Sequence, residues 1–461
     1  MIFSLPLPHQ AALIRSNYVL PVLRPCTVGD GVERLSVAQQ KVLCSWGKSA
    51  VESGRVSFFV PASGVASRLV QPLVHLDRHR KKTGLTIQEI FSKKKHPFSE
   101  VQFFLTHLPD YALSLPLETH LLPRGHTLSN CLSRRDYDTL LDVLLDPKGL
   151  NIPNVPKGLF PFHRYPTVIK NAFEEHLTEI STFGKKQTIH FTVSQKHLSS
   201  FRKEARRVVE FYFRRGIRLD VRFSVQDPAT NTIALEENGD VVRNADGTPF
   251  LRPGGHGALL PNLEKTKGDL VWIRNVDNVP VSFFQAEALR WRLVLTGRLL
   301  ELQKEALVRF QNPKTPTSVR RALARPWRVC GVVPNSGDPG GGPFWVGGKT
   351  ESKQIVEASQ ISLGQKALLK KATHFNPVDM VVSLRDFSGV AHDLASYVDE
   401  KTAFVSQKPY QGRTIRVLEH PGLWNGAMAH WNTVFVEIPK KMFHPVKTLS
   451  DLLKKGHFLL R

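Results

Sequence analysis

Cysteine is scarce. Four residues (Cys26, Cys44, Cys131 and Cys330) lie far apart in a chain of 461, and none forms a Cys-x-x-Cys pair. This excludes a disulfide framework, argues against a structural zinc site and fits a reducing cytosol. Long apolar runs are also missing: no stretch approaches the ~20 residues that span a bilayer. Pro6 and Pro8 break the short apolar opening, and no basic residue precedes it. It reads as mature cytoplasmic sequence, with no signal peptide and no membrane partner. Acidic residues are in deficit, 40 Asp+Glu against 63 Lys+Arg, which leaves a formal charge of +23. There is no internal repeat and no low-complexity tract. What is present is an ordinary core-forming composition, 41% hydrophobic, which excludes a disordered or fibrous chain. The length suits two to four domains, or one large α/β domain with additions.

Basic clusters occur at Arg78–Lys82, Lys93–Lys95, Arg202–Arg215 and Arg320–Arg328. They read as solvated helix faces, or as a field that draws in nucleotides, sugar phosphates or nucleic acid. Ribonucleoprotein-type aromatic motifs, zinc fingers and helix-turn-helix signals are lacking, so nucleic acid ranks below small phosphorylated ligands.

Apolar spacing predicts helices over Val37–Trp46, across most of Ile87–Asp146, and over Val168–Thr182, Phe201–Arg215 and Phe283–Val308. Strands are predicted at Val56–Val60, Thr188–Ser194, Leu219–Gln226, Asp269–Val279, Val329–Val333, Gln354–Ala358 and Val434–Ile438. Alternation of strand and helix implies a three-layer α/β fold on a mainly parallel, mixed sheet. The divisions expected are a helical extension (1–50), a nucleotide-binding α/β core (51–311), a linker (312–328), a sugar-binding half of the core (329–440) and a tail (441–461).

Ligands of such sheets bind beyond the carboxyl ends of the strands, and the informative motifs fall at predicted strand ends. In PASGVASRL (Pro61–Leu69) small residues let backbone amides approach a phosphate, and Arg68 adds a forked cation. No Gly-Lys-Ser/Thr follows, which excludes a Walker loop; a plain strand–turn–helix is the other reading. KGLFPFHRYP sets Lys157 in a proline-bounded loop as a point charge for a phosphate, with His163 and Arg164 as secondary candidates. Gln226 ends a strand, and LRPGGHGAL (Leu251–Leu259) supplies Gly254, Gly255, His256 and Gly257, a surface flat enough for a planar base or simply a tight turn. His256 has no second ligand at metal spacing. Asp277, between Asn275 and Asn278 at a strand end, suits Mg²⁺ or an Asx-turn. Cys330–Val346 is glycine-rich and reads as a substrate-facing or flexible loop. Glu357 sits in an apolar strand and needs a partner. Trp424 and Trp431 read as core, and Asn432 as a neutral second metal ligand.

In their order these motifs resemble the nucleotidyltransferases that make sugar nucleotides, especially eukaryotic-type UDP-sugar pyrophosphorylases. Gly64–Leu69 (GVASRL) is similar to their Gly-x-Gly-Thr-Arg-Leu triphosphate loop, with Ala66 and Ser67 in place of the second glycine and the threonine. Lys157–Pro161 is similar to their lysine–proline loop, Gln226 and Pro253–Gly257 to their uracil-contacting elements, Val276–Asn278 to their metal-binding strand end, and Glu357 to their sugar-contacting glutamate. The closest overall likeness is to the bacterial family known as domain of unknown function 4301.

The resemblance implies a GT-A-like nucleotide-diphospho-sugar transferase fold and an Mg²⁺-dependent reaction of a nucleoside triphosphate, UTP favoured, with a sugar 1-phosphate. It implies Arg68 and Lys157 as catalytic cations, and Ser63, Gly64, Ser67, Gln226 and Gly254–Gly257 around the nucleotide. It implies Glu357, Asn335 and Gly341 around the sugar, and Asp277 and Asn432 on the metal. A glycosyltransferase on the same fold, and a non-catalytic basic nucleotide- or RNA-binding protein, are the alternatives.

Overall fold

The structure is a computed structural model that describes residues 6–16, 18–337 and 340–457. Its centre is a nine-stranded sheet. In chain order the strands are β1 (Thr27–Val28), β2 (Gly31–Glu33), β3 (Val56–Pro61), β4 (Lys186–Thr192) and β5 (Arg218–Ser224), then β6 (Leu270–Arg274), β7 (Trp327–Pro334), β8 (His374–Ser383) and β9 (Asn432–Glu437). Across the sheet they run β1-β2-β9-β7-β8-β6-β3-β4-β5. Every neighbouring pair is parallel except the two that involve β8, which is antiparallel to both β7 and β6. The sheet is therefore mixed and mainly parallel.

The central strands read as near-continuous apolar runs because both faces are covered, one by long helices and the other by segments 259–263 and 423–431. Every residue of β6 is buried, as are the first five of β3. Helices α1 (Val37–Glu52), α2 (Ser67–Thr83), α3 (Ala172–Ser181), α4 (Leu198–Phe213) and α5 (Ser282–Gln311) flank it. α1 and α5 cross where Gly47 meets the backbone of Leu293 and Gly297 meets that of Leu43. A methyl at either position would overlap a carbonyl, so the two glycines set how closely the helices approach.

Several expectations change. The ten-residue β8 is wholly buried, yet His374, Asn376, Pro377 and Asp379 hide it in the sequence. Asp379 holds Arg292 at 3.1 Å, and Asn376 Oδ1 accepts from Val378 N at 3.1 Å, while Asn376 Nδ2 is buried without a partner among the described residues. The strand expected over Asp269–Val279 stops at Arg274, where the chain turns. Ser352–Val356 is a strand but belongs to a separate three-stranded sheet with Gly342–Val346 and Val22–Pro25. The first fifty residues, expected to be helical, thus supply Val22–Pro25, β1 and β2 besides α1. The expected linker contains a helix, Thr317–Leu323. The expected tail is docked on the core through the buried Val446, Leu449 and Leu452. A four-stranded antiparallel sheet of Leu251–Pro253, Asn231–Leu235, Arg413–Glu419 and Phe404–Tyr410 stands beside the carboxyl ends of β3–β6. No described helix is long and apolar enough to cross a membrane.

Candidate functional site

The site lies where β3, β5 and β6 end. After β3 the chain forms the loop Ala62–Ala66, and this loop is pinned to a second segment: Lys157 N donates to Gly64 O at 3.0 Å, and Ala66 N to Val155 O at 3.3 Å. Lys157 opens a single 3₁₀ turn directly after Pro156, so its side chain leaves a fixed backbone. The next residue, Gly158, has the Phe201 ring 3.0 Å and Val276 3.3 Å from where a Cβ would stand. A larger residue there would push the lysine away from the β6 turn.

That turn carries Asp277. Arg274, the last residue of β6, donates to Asn278 O at 2.6 Å, and the His176 ring meets Val276 O at 3.2 Å. Arg274 is in turn paired with Glu179, which also pairs with Arg292, and Arg292 holds Asp379. This buried four-residue ionic network spans α3, β6, α5 and β8 and fixes the backbone on both sides of Asp277. The Asp277 carboxylate accepts Lys157 Nζ at 2.5 Å and Lys447 Nζ at 3.3 Å, both on Oδ2. Burial alone would raise its pKa, but the two ammonium groups outweigh burial and hold it below the ordinary carboxylate value. Lys157 moves down: burial disfavours its charge more than Asp277 restores it, and Lys447 and Arg68 add like-charge repulsion. Arg68, exposed on the first turn of α2, is thus electrostatically coupled to this pair.

Lys157, with Asn275 and Val276 just before Asp277, lines a cleft of about 430 Å³ whose wall also includes Ser63, Gly64, Gln226, Gly255 and His256. At Gly64 a Cβ would meet nothing within 4 Å, so the loop backbone is open to a ligand. Ala66 is buried in the main core, and its methyl points away from that opening. Gln226 donates to Thr230 Oγ1 at 3.0 Å, which leaves its carbonyl for a ligand. The glycines of the PGGHG turn have a reason other than a flat base. Cβ atoms at Gly254 and Gly257 would strike His420 and the Pro421 carbonyl, so these two face protein rather than the cleft. Gly255, with φ +78, faces Glu419 at the cleft wall. His256 stacks on Trp424 with centroids 4.2 Å apart, and its Nδ1 accepts from Leu423 N at 3.0 Å. Burial pulls the imidazole down to about 4, so it is neutral at pH 7.

Trp424 also lines the cleft, and it donates to Glu357 Oε1 at 3.4 Å. Gly341 packs against the same carboxylate, whose Oε2 is 3.1 Å from where a Cβ would stand. Burial raises the Glu357 pKa, opposed by its hydrogen bonds and by the charge of Lys447. Ser63, Gly64, Lys157, Asp277, Gln226, Gly255, His256, Glu357 and Gly341 therefore form one connected region, with Arg68 at its rim.

Other candidates lie elsewhere. Asn432 begins β9 level with Trp327, Ser383 and Leu270, at the opposite end of the sheet from Asp277. The rise from Leu270 to Arg274 alone is about 13 Å. Its amide instead caps the Thr317–Leu323 helix through Ala322 O at 2.9 Å, so it cannot share a metal with Asp277. Asn335 uses both ends of its amide on the loop, donating to Ala372 O and accepting from Gly337 N. His163 is fully buried between Glu175 and His457, and Arg164 binds Pro109 O and Ser114 Oγ, so neither faces the cleft. Trp431 is core. The Ser67 side chain and residues 338–339 of the glycine-rich loop lie outside the described residues.

The sequence reading missed Lys447 and the wall formed by Arg252, Lys408 and Glu419. Lys447 is placed by the Val446 N to Asp277 O bond of 3.1 Å and by a cap in which Asp451 accepts from Lys447 N and Thr448 N at 2.7 Å. The Lys-Thr-Leu-Ser-Asp capping pattern was its one local signal.

The chain matches the family described as domain of unknown function 4301 over residues 9–315 and 305–458. It belongs to the DUF4301 family. No curated relative matches it in sequence. Among solved structures it is similar to the UDP-N-acetylglucosamine pyrophosphorylase of Trypanosoma brucei, at a TM-score of 0.53 and 15% identity over 97% of this chain and 74% of that one. It is also similar to a candidate UDP-N-acetylglucosamine pyrophosphorylase of Entamoeba histolytica, at a TM-score of 0.49 and 11% identity over 93% of this chain and 84% of that one. The Trypanosoma likeness establishes a shared pyrophosphorylase-type fold for this DUF4301 chain.

Proposed function

We propose that this DUF4301 chain is a nucleotidyltransferase that forms a nucleotide sugar, with UTP favoured, on a GT-A-like arrangement of strands. One observation carries the reading. Lys157 and Lys447, from segments 290 residues apart, meet on the buried Asp277 at the carboxyl ends of parallel strands, and Lys157 lines the same cleft as the open Gly64 loop. In this reading an oxygen of the sugar 1-phosphate attacks the α-phosphorus of the triphosphate, a phosphorus–oxygen bond forms, and the α–β bond breaks so that pyrophosphate leaves with the bonding pair. The nucleophile is already an anion, so no protein base is needed. Arg68, Lys157 and Lys447 neutralise charge on the transferring and leaving oxygens, the main lever in phosphoryl chemistry.

Asp277 fits Mg²⁺ at the minimum this ion accepts, one carboxylate completed by phosphates and water. Oδ2 is taken by the two lysines, and no described side chain donates to Oδ1. Bound there, Mg²⁺ supplies further charge neutralisation of the triphosphate. On the sugar side, Glu357 accepts from a sugar hydroxyl, held in place by Trp424 and Gly341. Gln226 reads the amide edge of the base.

The test is thermal-shift screening of nucleoside triphosphates and sugar nucleotides with Mg²⁺, followed by pyrophosphate release with sugar 1-phosphates. A ligand at a hundred times its Kd stabilises by about 2.7 kcal/mol. Silence across the panel would overturn the proposal. Binding of sugar nucleotides without pyrophosphate exchange would turn it toward a glycosyltransferase.

A further inference from the structure

A second grouping of reactive side chains lies in the helical region between β3 and β4, apart from the cleft. His126 sits just before the helix Leu128–Ser133, Cys131 lies within that helix, and Asp136 caps the next, Tyr137–Leu145. A ring nitrogen, Sγ and a carboxylate oxygen from these three lie within 4.8 Å of one another, the one such trio found among the described residues.

The backbone holds them there. Arg135 adopts φ +53, a left-handed turn that lets Asp136 N return to Cys131 O at 2.8 Å. His126 N donates to Leu121 O at 3.2 Å, which ties the histidine to the end of the Ser114–Leu121 helix. Asp136 uses Oδ1 to accept from Thr139 N at 3.1 Å, and no described residue donates to its Oδ2. The sulfur is buried while His126 and Asp136 are half-exposed, so an ion has access from solvent.

We infer that His126, Cys131 and Asp136 form a site for a thiophilic divalent cation of the zinc class. The donor chemistry selects the metal: thiolate and imidazole suit Zn²⁺, whereas Mg²⁺ and Ca²⁺ take oxygen donors. Three protein ligands leave a fourth position to water. The His-x4-Cys-x4-Asp spacing contains no Cys-x-x-Cys pair, which is why the sequence argued against zinc. The ion would staple the ends of three short helices, independently of any chemistry in the cleft.

Cobalt titration of the chelator-treated full-length chain tests this. The expected result is one Co²⁺ per chain, with a near-ultraviolet thiolate-to-cobalt band that Zn²⁺ abolishes by displacement. Cys131→Ser removes the band. Asp136→Asn, whose asparagine can still cap the helix, weakens binding at least about tenfold with an unchanged circular dichroism spectrum. If Cys131→Ser does not fold, His126→Gln and Asp136→Asn carry the test. No cobalt binding overturns the inference. So does a band that persists in Cys131→Ser, or an affinity unchanged in Asp136→Asn and His126→Gln.

Discussion

Asp277 and its two lysines form a site in which each charge depends on the others. Removing one member leaves a partner buried without compensation, a costly state. Lys157→Ala and Lys447→Ala are each expected to lower kcat/KM for pyrophosphate release about 10²–10³-fold, the range for loss of one stabilising donor. Circular dichroism distinguishes this from misfolding. An Lys447→Ala enzyme with full activity would remove the C-terminal lysine from the mechanism. Glu357 makes the opposite kind of prediction. Its pKa is raised, so the folded state holds a proton more tightly than the unfolded chain, and stability from this group grows as pH falls through the folded value. Above that value the ionised carboxylate costs stability, so Glu357→Gln should leave Tm unchanged or higher while KM for the sugar 1-phosphate rises. Ala66 is a third case. Its methyl lies in the core, so Ala66→Gly should not tighten nucleotide binding and should cost roughly 1 kcal/mol, from lost burial and added chain entropy.

Between elements, the crossing of α1 and α5 reverses a familiar rule. Glycine to alanine inside a helix normally stabilises by about 0.5–1 kcal/mol. Here Gly47→Ala and Gly297→Ala each drive a methyl into a carbonyl of the partner helix, and overpacking of this kind costs about 1–3 kcal/mol. Both substitutions should therefore lower the denaturation midpoint. The docked segment around Lys447 is a further case of element-level control. It is held by Val446 N on Asp277 O, Val281 N on Gly456 O and the buried His163–His457 contact of 2.8 Å. It brings a cation to Asp277 that no local strand or helix supplies.

For the whole molecule, buried histidines dominate the acid response. His176, His190, His256 and His457 are all shifted down, chiefly by burial, His190 and His256 to about 4 and His457 to about 3. A depressed histidine stays neutral in the fold while the unfolded chain takes up protons below about 6.5, so stability falls as pH drops through that value. Each such histidine steepens the loss by up to about 1.4 kcal/mol per pH unit until its folded pKa is reached. Urea midpoints should therefore fall between pH 6.5 and 4. The Asp277 contribution, from a depressed carboxyl, remains until lower pH and is lost as pH drops below about 3.9. A flat profile from pH 6.5 to 4 would show that these histidines are protonated or exposed in the fold.

Much was legible from local pattern. Apolar runs mark β3, β6 and β7, helical spacing marks α1, α4 and α5, and the strand-end rule gathers Gly64, Lys157, Gln226, Gly255 and Asp277. Such signals survive because burial of one face imposes its period on the residues themselves. Three features were decided only in three dimensions. β8 is a central strand whose buried charge, Asp379, is neutralised by Arg292 of α5, distant in sequence. Asn432 went to the far end of the sheet because strand direction and register, not residue type, set which end a residue occupies. Lys447 reached Asp277 because hydrophobic docking of the last segment decided where that lysine's charge lies.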